Sequence, residues 1–309
     1  MGAPCVLRAA ARSFLPPGRG SSRLRCRALS CCPNTRKMSS KRQMDHLEKT
    51  AKDYRQNVVY PAQVCGIIKE SETVKRLRVS VHPDFSFKAG QWVDFFIPGV
   101  EKVGGFSMCS CPGLLQSEGV IELAVKNAKH PPANWIHTAC TVGSHVAMRV
   151  GGNFFFDPQP SDPPVNLLLV AGGVGINPLY SILLHTAHLM RIHHASGGRD
   201  YHIGSTHICY SAKNVQELLF KDTITEVCRE FPRTFSCDLR VTEQSDGDDR
   251  DTPLITRRGR ITKADLRAHV DPQKTLCYLC GPPPFIEAIS EALTDLGLPK
   301  DRILFEKWW

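Results

Sequence analysis

The segment Leu167-Leu168-Leu169-Val170-Ala171-Gly172-Gly173-Val174-Gly175-Ile176-Asn177-Pro178 constrains the fold more than any other. An apolar run bounded by glycines predicts a buried strand, then a tight turn, then a helix opened by Asn177 and Pro178. Glycine at such a turn lets the backbone approach a ligand closely, and the first N–H groups of the new helix favour a phosphate there. Strand-to-helix turns also carry glycine for packing alone, so this segment by itself leaves a nucleotide site and a packed turn both open.

A second segment repeats the pattern: Leu276-Cys277-Tyr278-Leu279-Cys280-Gly281-Pro282-Pro283-Pro284-Phe285. A short apolar strand again runs into Gly-Pro, and the following helix carries Phe285, Ile286, Ile289 and Leu293 on one side. Two such strand ends lie side by side at the carboxyl edge of a parallel sheet, where open α/β folds bind ligands. Gly-Gly-Val-Gly-Ile-Asn-Pro followed by Cys-Gly-Pro-Pro-Pro resembles the pyridine-nucleotide domain of the ferredoxin–NADP reductase superfamily, which includes the cytochrome b5 reductases. It does not match the fingerprint Gly-x-Gly-x-x-Gly, because Pro178 stands where the third glycine belongs.

A chain of 309 residues with 42% hydrophobic content is long and apolar enough for two domains with real cores. Its net charge of +9 invites a nucleic-acid reading, which the distribution of charge removes. Residues 1–44 hold ten Lys or Arg and no acid; subtracting them leaves 29 bases against 30 acids, a net of −1. With a neutral body and no basic, aromatic-rich surface, a nucleic-acid module is not expected. A leader rich in Arg, Ser, Ala and Leu fits a mitochondrial transit peptide, the alternative being a basic tail on a cytosolic protein. No apolar run is long enough to span a membrane.

Nine of the thirteen cysteines follow the leader, an odd number without secretory context, and are expected as reduced thiols. Cys277 and Cys280 share CxxC spacing, but an odd offset along a strand points them to opposite faces. An iron–sulfur module needs four clustered cysteines and its own segment, so no metal is expected. His185, His188, His193 and His194 along one helix predict a solvated face rather than a metal site.

From Tyr60 to Phe156 short strands alternate with Gly, Pro and Asp turns, the clearest being Val74–Val81, Gln91–Ile97, Gly105–Cys109 and Val120–Val125. That spacing predicts a small antiparallel barrel. The Pro-rich connector Asp157–Pro164 leads into the alternating strand–helix half. The fold class is therefore β + α/β: an N-terminal antiparallel flavin-binding-type barrel over 60–157, then a parallel-sheet nucleotide-binding domain over 165–309. The acidic run Asp246–Asp251 is expected as a surface insertion.

The barrel resembles the same superfamily. Phe87-Lys88-Ala89-Gly90-Gln91-Trp92-Val93 is similar to the strand opening around its Ala-Gly-Gln, and Gly105-Phe106-Ser107-Met108-Cys109-Ser110 lies where it carries Arg-x-Tyr-Ser. The resemblance implies that Arg binds a flavin phosphate, Tyr packs on the isoalloxazine ring and Ser bonds near its N5. Here Ser107 matches, Phe106 keeps the ring without the hydroxyl, and Gly104 replaces Arg. The superfamily's Gly-x-x-Ser phosphate turn appears as His130-Pro131-Pro132-Ala133, whose helix N-terminus is expected to attract pyrophosphate through its free N–H groups. Lys126 or Lys129 is the candidate for the missing charge. A charge-assisted phosphate contact is worth about 1.5–3 kcal/mol, so weakly held FAD is expected.

The resemblance also implies the joined site. NAD or NADP lays its pyrophosphate over Gly172, Gly173, Val174, Gly175, Ile176, Asn177 and Pro178. The nicotinamide enters beside Cys280, Gly281 and Pro282, and a hydride passes to flavin near Phe106, Ser107 and Met108, with Ala133 at the phosphate turn. Cys280 positions the nicotinamide in this scheme; a buried small hydrophobe is its other role. Ser107, likewise, is either a flavin ligand or a strand serine satisfied by a neighbour. Trp308 or Trp309 ends the chain either over the flavin or as an apolar plug, with Glu306 near the same interface. Ser211 and Lys213, after the strand His207–Tyr210, sit where relatives grip a 2′-phosphate, which leaves NADH and NADPH both open. Two functions follow: a mitochondrial flavin-dependent NAD(P)H reductase serving an external electron acceptor, or a nucleotide-binding regulatory or assembly protein that keeps the fold with weak or no flavin.

Overall fold

Burial alternates along residues 77–80, with Leu77 and Val79 inside, as expected of a strand with one face on a core. The computed structural model describes residues 44–243 and 256–307. The leader, the acidic run Asp246–Asp251 and the terminal Trp308 and Trp309 lie outside those residues.

After a short helix α1 (His46–Lys49), six strands build the first sheet: β1 (Tyr60–Lys69), β2 (Val74–Val81), β3 (Trp92–Phe96), β4 (Gly104–Ser107), β5 (Val120–Lys126) and β6 (His145–Gly151). Their order is β4-β3-β6-β1-β2-β5, every pair antiparallel. The two edges meet just beyond β4, where the Cys109 amide donates to the Glu122 carbonyl at 2.9 Å. Phe95, Leu77, Ile121, Leu123 and Met148 fill the interior. Helices α2 (Pro112–Glu118) and α3 (Pro131–Thr138) flank β5 in sequence.

Asp94 points away from that interior, between the inward Val93 and Phe95, yet has no exposed surface. The chain around α1 covers it. His46 Nε2 lies 2.7 Å from its Oδ1, Arg55 Nε donates to Oδ2 at 2.9 Å, and an Arg149 guanidinium nitrogen lies 2.7 Å from Oδ2. Burial pushes this carboxyl up, but the hydrogen bonds from His46, Arg55 and Arg149 outweigh it and hold the pKa at about 2.

The second sheet is wholly parallel: β7 (Asn166–Gly172), β8 (Thr206–Ala212), β9 (Phe235–Val241), β10 (Thr256–Arg258), β11 (Thr275–Cys280) and β12 (Ile303–Glu306), in the order β10-β9-β8-β7-β11-β12. The apolar run on β7 is explained by burial on both faces. Leu167, Leu169 and Ala171 pack with α4 (Ile176–Ala195) and α5 (Lys221–Glu230). Leu168 and Val170 pack with α6 (Lys263–Arg267) and α7 (Pro283–Asp295). Cys277 and Cys280 separate between those two cores, as their odd offset requires.

One helix expectation is corrected. His185 on α4 is not on a solvated face: its Nδ1 is buried without a partner, and burial lowers its pKa to about 4. Among the described residues no group of three His, Cys, Asp or Glu could hold a metal, and no helix is long and apolar enough to cross a membrane.

Candidate active site at the junction of the two sheets

The chain leaves β7 toward β8 on one side and returns on the other as β11, so the β7–β11 boundary is the switch point of the sheet. Ligands bind at the carboxyl ends of strands at such a point. There a single tight turn, Gly173–Gly175, joins β7 to α4. Gly173 has φ +57°, and a side chain there would meet nothing within 4 Å, so the turn faces open space. The positive end of a 20-residue helix lies behind it. Gly175 does the opposite. A Cβ on it would lie 2.5 Å from the Cys280 carbonyl oxygen and 2.8 Å from the Gly281 nitrogen. The two glycine turns that the sequence singles out are thus interlocked through their backbones.

From this point four residues run in a line across the junction. Ala171 pairs with Cys280, Cys280 pairs with Glu306, and Ser107 Oγ donates to Glu306 Oε2 at 3.2 Å. Cys280 is fully buried; desolvation first, and the nearby Glu306 charge second, hold its thiol protonated. It is a neutral wall rather than a nucleophile. Beside Glu306 opens a cavity of about 320 Å³ whose lining includes Thr50, Asp53, Trp92, Gly152 and Phe154.

The other candidates divide. Ser211 pairs with Gly172 at the end of β8, so it belongs to the nucleotide edge. Pro282 is exposed and Gly281 buried at the second turn, while Val174 is half-buried and Ile176 and Pro178 are buried at the first. Asn177 turns its side chain away from that edge: Nδ2 donates to the Ala124 carbonyl of β5 at 2.7 Å, fastening α4 to the barrel. Met108 is fully buried in the barrel core, which leaves only its backbone near a ligand. Lys213 is exposed and pairs with Glu243 at 3.3 Å.

The phosphate end of the expected flavin site differs from expectation. Pro131 and Pro132 occupy the first two positions of α3, where neither has an N–H, and the Asn134 N–H already donates to the His130 carbonyl at 2.9 Å. Of the amides of the helix's first three positions, that of the buried Ala133 is left. Lys126, a candidate for the missing charge, lies 3.6 Å from the Glu217 carboxylate, with its side chain still partly exposed. Phe106 sets its ring against Phe95 at 5.5 Å, and a Cβ on Gly104 would lie 2.6 Å from that ring. Thus Ser107 and Glu306 meet at one end of this edge, while the α3 end offers few free donors to an anion.

Sequence reasoning missed how the two sheets are joined. Glu217 accepts from Ser71 at 2.8 Å and from Thr73 at 2.9 Å. Ser181 Oγ donates to the Ser110 carbonyl at 2.6 Å, and Tyr278 OH to the Phe155 carbonyl at 2.7 Å. The available signal was slight: polar residues at buried positions of otherwise apolar elements, such as Ser181 and Asn177 on α4.

Comparison with known proteins agrees with this architecture. Residues 169–291 match the family model described as "Oxidoreductase NAD-binding domain". The chain is 64% identical over 273 residues to "Oxidoreductase NAD-binding domain-containing protein 1" of Danio rerio, covering 88% of this chain and all of that one. It is 53% identical over 273 residues to the Homo sapiens protein of that name, covering 88% and 87%. A ferredoxin NADP+ reductase from Neisseria gonorrhoeae, solved with bound FAD and NADP, superposes with a TM-score of 0.64 at 15% identity, covering 82% of this chain and all of that one.

Proposed function

Since the chain belongs to the family of oxidoreductase NAD-binding domain-containing protein 1 and has the fold of ferredoxin–NADP reductases, we propose that it is a flavin-dependent NAD(P)H oxidoreductase serving an external electron acceptor. One observation carries this reading: the unbroken line from the glycine turn through Cys280 and Glu306 to Ser107 joins the nucleotide edge of one sheet to the barrel. A bound flavin supplies the hydride acceptor that protein side chains lack.

The chain's own residues do the rest. The open turn at Gly173 and the N-terminus of α4 receive a pyrophosphate. The neutral Cys280 thiol gives the nicotinamide an uncharged wall and keeps water from the strand end. Ser107 donates its hydroxyl proton to Glu306 Oε2, and this pair would carry a proton toward a flavin held beside Glu306. The Lys213–Glu243 pair cancels the one charge placed for a 2′-phosphate, which favours NADH. On its leader, we place the protein in mitochondria.

The test is the visible spectrum of the purified full chain with FAD, before and after anaerobic NADH or NADPH. Bleaching by a nucleotide supports the reductase and identifies its donor. A second reading is favoured by Gly104, Pro131 and Pro132: a nucleotide-binding regulatory or assembly protein that has given up flavin. It requires that nucleotide binds while saturating FAD produces no turnover.

A further inference from the structure

We infer that the barrel site selects a flavin by its ring and leaves its phosphates ungripped, so that riboflavin, FMN and FAD serve alike as exchangeable substrates rather than as a resident cofactor. This rests on the flavin reading above and names what the site takes.

Four features of the phosphate end lead to this. First, the space at Gly104 is closed as well as uncharged: a Cβ there would meet Phe106 Cε2 at 2.6 Å and Pro132 Cβ at 3.0 Å. Second, prolines at the first two positions of α3 delete two of the amides that a helix N-terminus offers an anion. Third, two nearby cations are engaged: Lys126 lies 3.6 Å from Glu217, and Lys102 lies 3.2 Å from Asp45. The exposed Lys129 and Lys49 remain as point charges near His130, whose imidazole is held low by burial and then by His46, Lys49 and Lys102. Exposed ammonium groups replace the bidentate fork of an arginine poorly. Fourth, Phe106 has no hydroxyl to offer the ribityl or phosphate chain.

The ring end keeps its chemistry. Ser107 donates to Glu306 at 3.2 Å, and Glu306 in turn lines a cavity of about 320 Å³, in the size range of small-molecule sites. The balanced reaction needs nothing else: the nicotinamide gives up a hydride with its electron pair and becomes NAD(P)+. The flavin takes that hydride and one proton, and leaves as dihydroflavin.

Fluorescence titration of the full chain with riboflavin, FMN and FAD tests this directly. Dissociation constants that agree within about tenfold are expected, since exposed point charges contribute about that much or less. FAD bound a hundredfold or more tighter than riboflavin would overturn the inference while leaving a flavin reductase intact. Binding of none of the three would remove the flavin reading itself. As a second variant, Pro131→Ser with Pro132→Gly, checked for folding by its melting temperature, restores two amides at α3. FMN and FAD are expected to tighten about three- to tenfold, with riboflavin unchanged. An equal change for all three, or none, would refute the placement of the phosphates at α3.

Discussion

Replacing Gly175 by alanine tests whether the two glycine turns form one unit. Gly175 has φ −62°, which any residue adopts, so alanine meets no backbone penalty there. The whole effect is steric. The new Cβ would lie 2.5 Å from the Cys280 oxygen and 2.6 Å from its carbonyl carbon, against an ordinary contact of 3.4 Å or more. The turns must therefore part by roughly 0.9 Å, and backbone on both sides cannot rotate out of the way as a side-chain tip does. Overpacking of this kind costs about 1–3 kcal/mol, partly offset by about 0.4–1 kcal/mol from the stiffer unfolded chain. Thermal unfolding should fall by about 2–6 °C. Calorimetry should show NADH binding weakened about tenfold or more, because both turns move relative to the ligand. Gly173→Ala is the control: with φ +57° and open space around it, its stability loss of about 1 kcal/mol is purely conformational. A Gly175→Ala protein with native melting temperature and native affinity would show that the turns are not interlocked.

The remaining predictions concern the proton, the acid limit and the nucleotide. Ser107→Ala and Glu306→Gln should each lower kcat for NADH-driven flavin reduction by about 10–100-fold with NADH affinity within about twofold, read by stopped-flow and calorimetry; equal losses in both would refute a role in transfer. His207 is buried beside a stacked His269 at 3.4 Å, and desolvation, then His269, lowers its pKa to about 3, while burial takes His185 to about 4. Both are neutral in the native state, so their stability contribution is complete above about pH 6.5 and is lost as the unfolded chain takes protons below it. Urea unfolding at pH 5 against pH 7.5 should show roughly 2 kcal/mol lost for each, and a flat profile would contradict their burial as neutral rings. Glu243→Ala frees Lys213 for a 2′-phosphate and should raise the NADPH-to-NADH ratio of kcat/KM about two- to fivefold, the scale of an exposed ion pair; an unchanged ratio would place the 2′-position elsewhere.

The nucleotide half was legible because its signals are local. A strand buried on both faces needs an apolar run such as Leu167–Ala171, and a turn that faces a ligand on one side and backbone on the other needs Gly173 and Gly175. Ser107 and Glu306 were legible as separate candidates, but their hydrogen bond joins residues 199 apart, and no local pattern records such a pairing. Asn177 was read with the pyrophosphate turn because the spacing places it there; its partner, the Ala124 carbonyl, comes from the other sheet. The carboxylate beside Lys126, that of Glu217, was illegible for the same reason, being far along the chain. The two prolines of α3 were visible, and their effect on phosphate binding follows from counting N–H groups once the first turn of the helix is located.

The buried carboxylate at Asp94 makes the segment ahead of the first strand part of the folded body. Two of its partners, His46 and Arg55, precede the first strand, and only Arg149 belongs to the sheet itself. A truncation that stops before His46 keeps all three partners; one that continues past Arg55 takes away two of them together with the cover, and leaves the carboxylate open to water beside Arg149 alone. The shortest chain that keeps this site intact therefore starts ahead of His46 and not at the first strand.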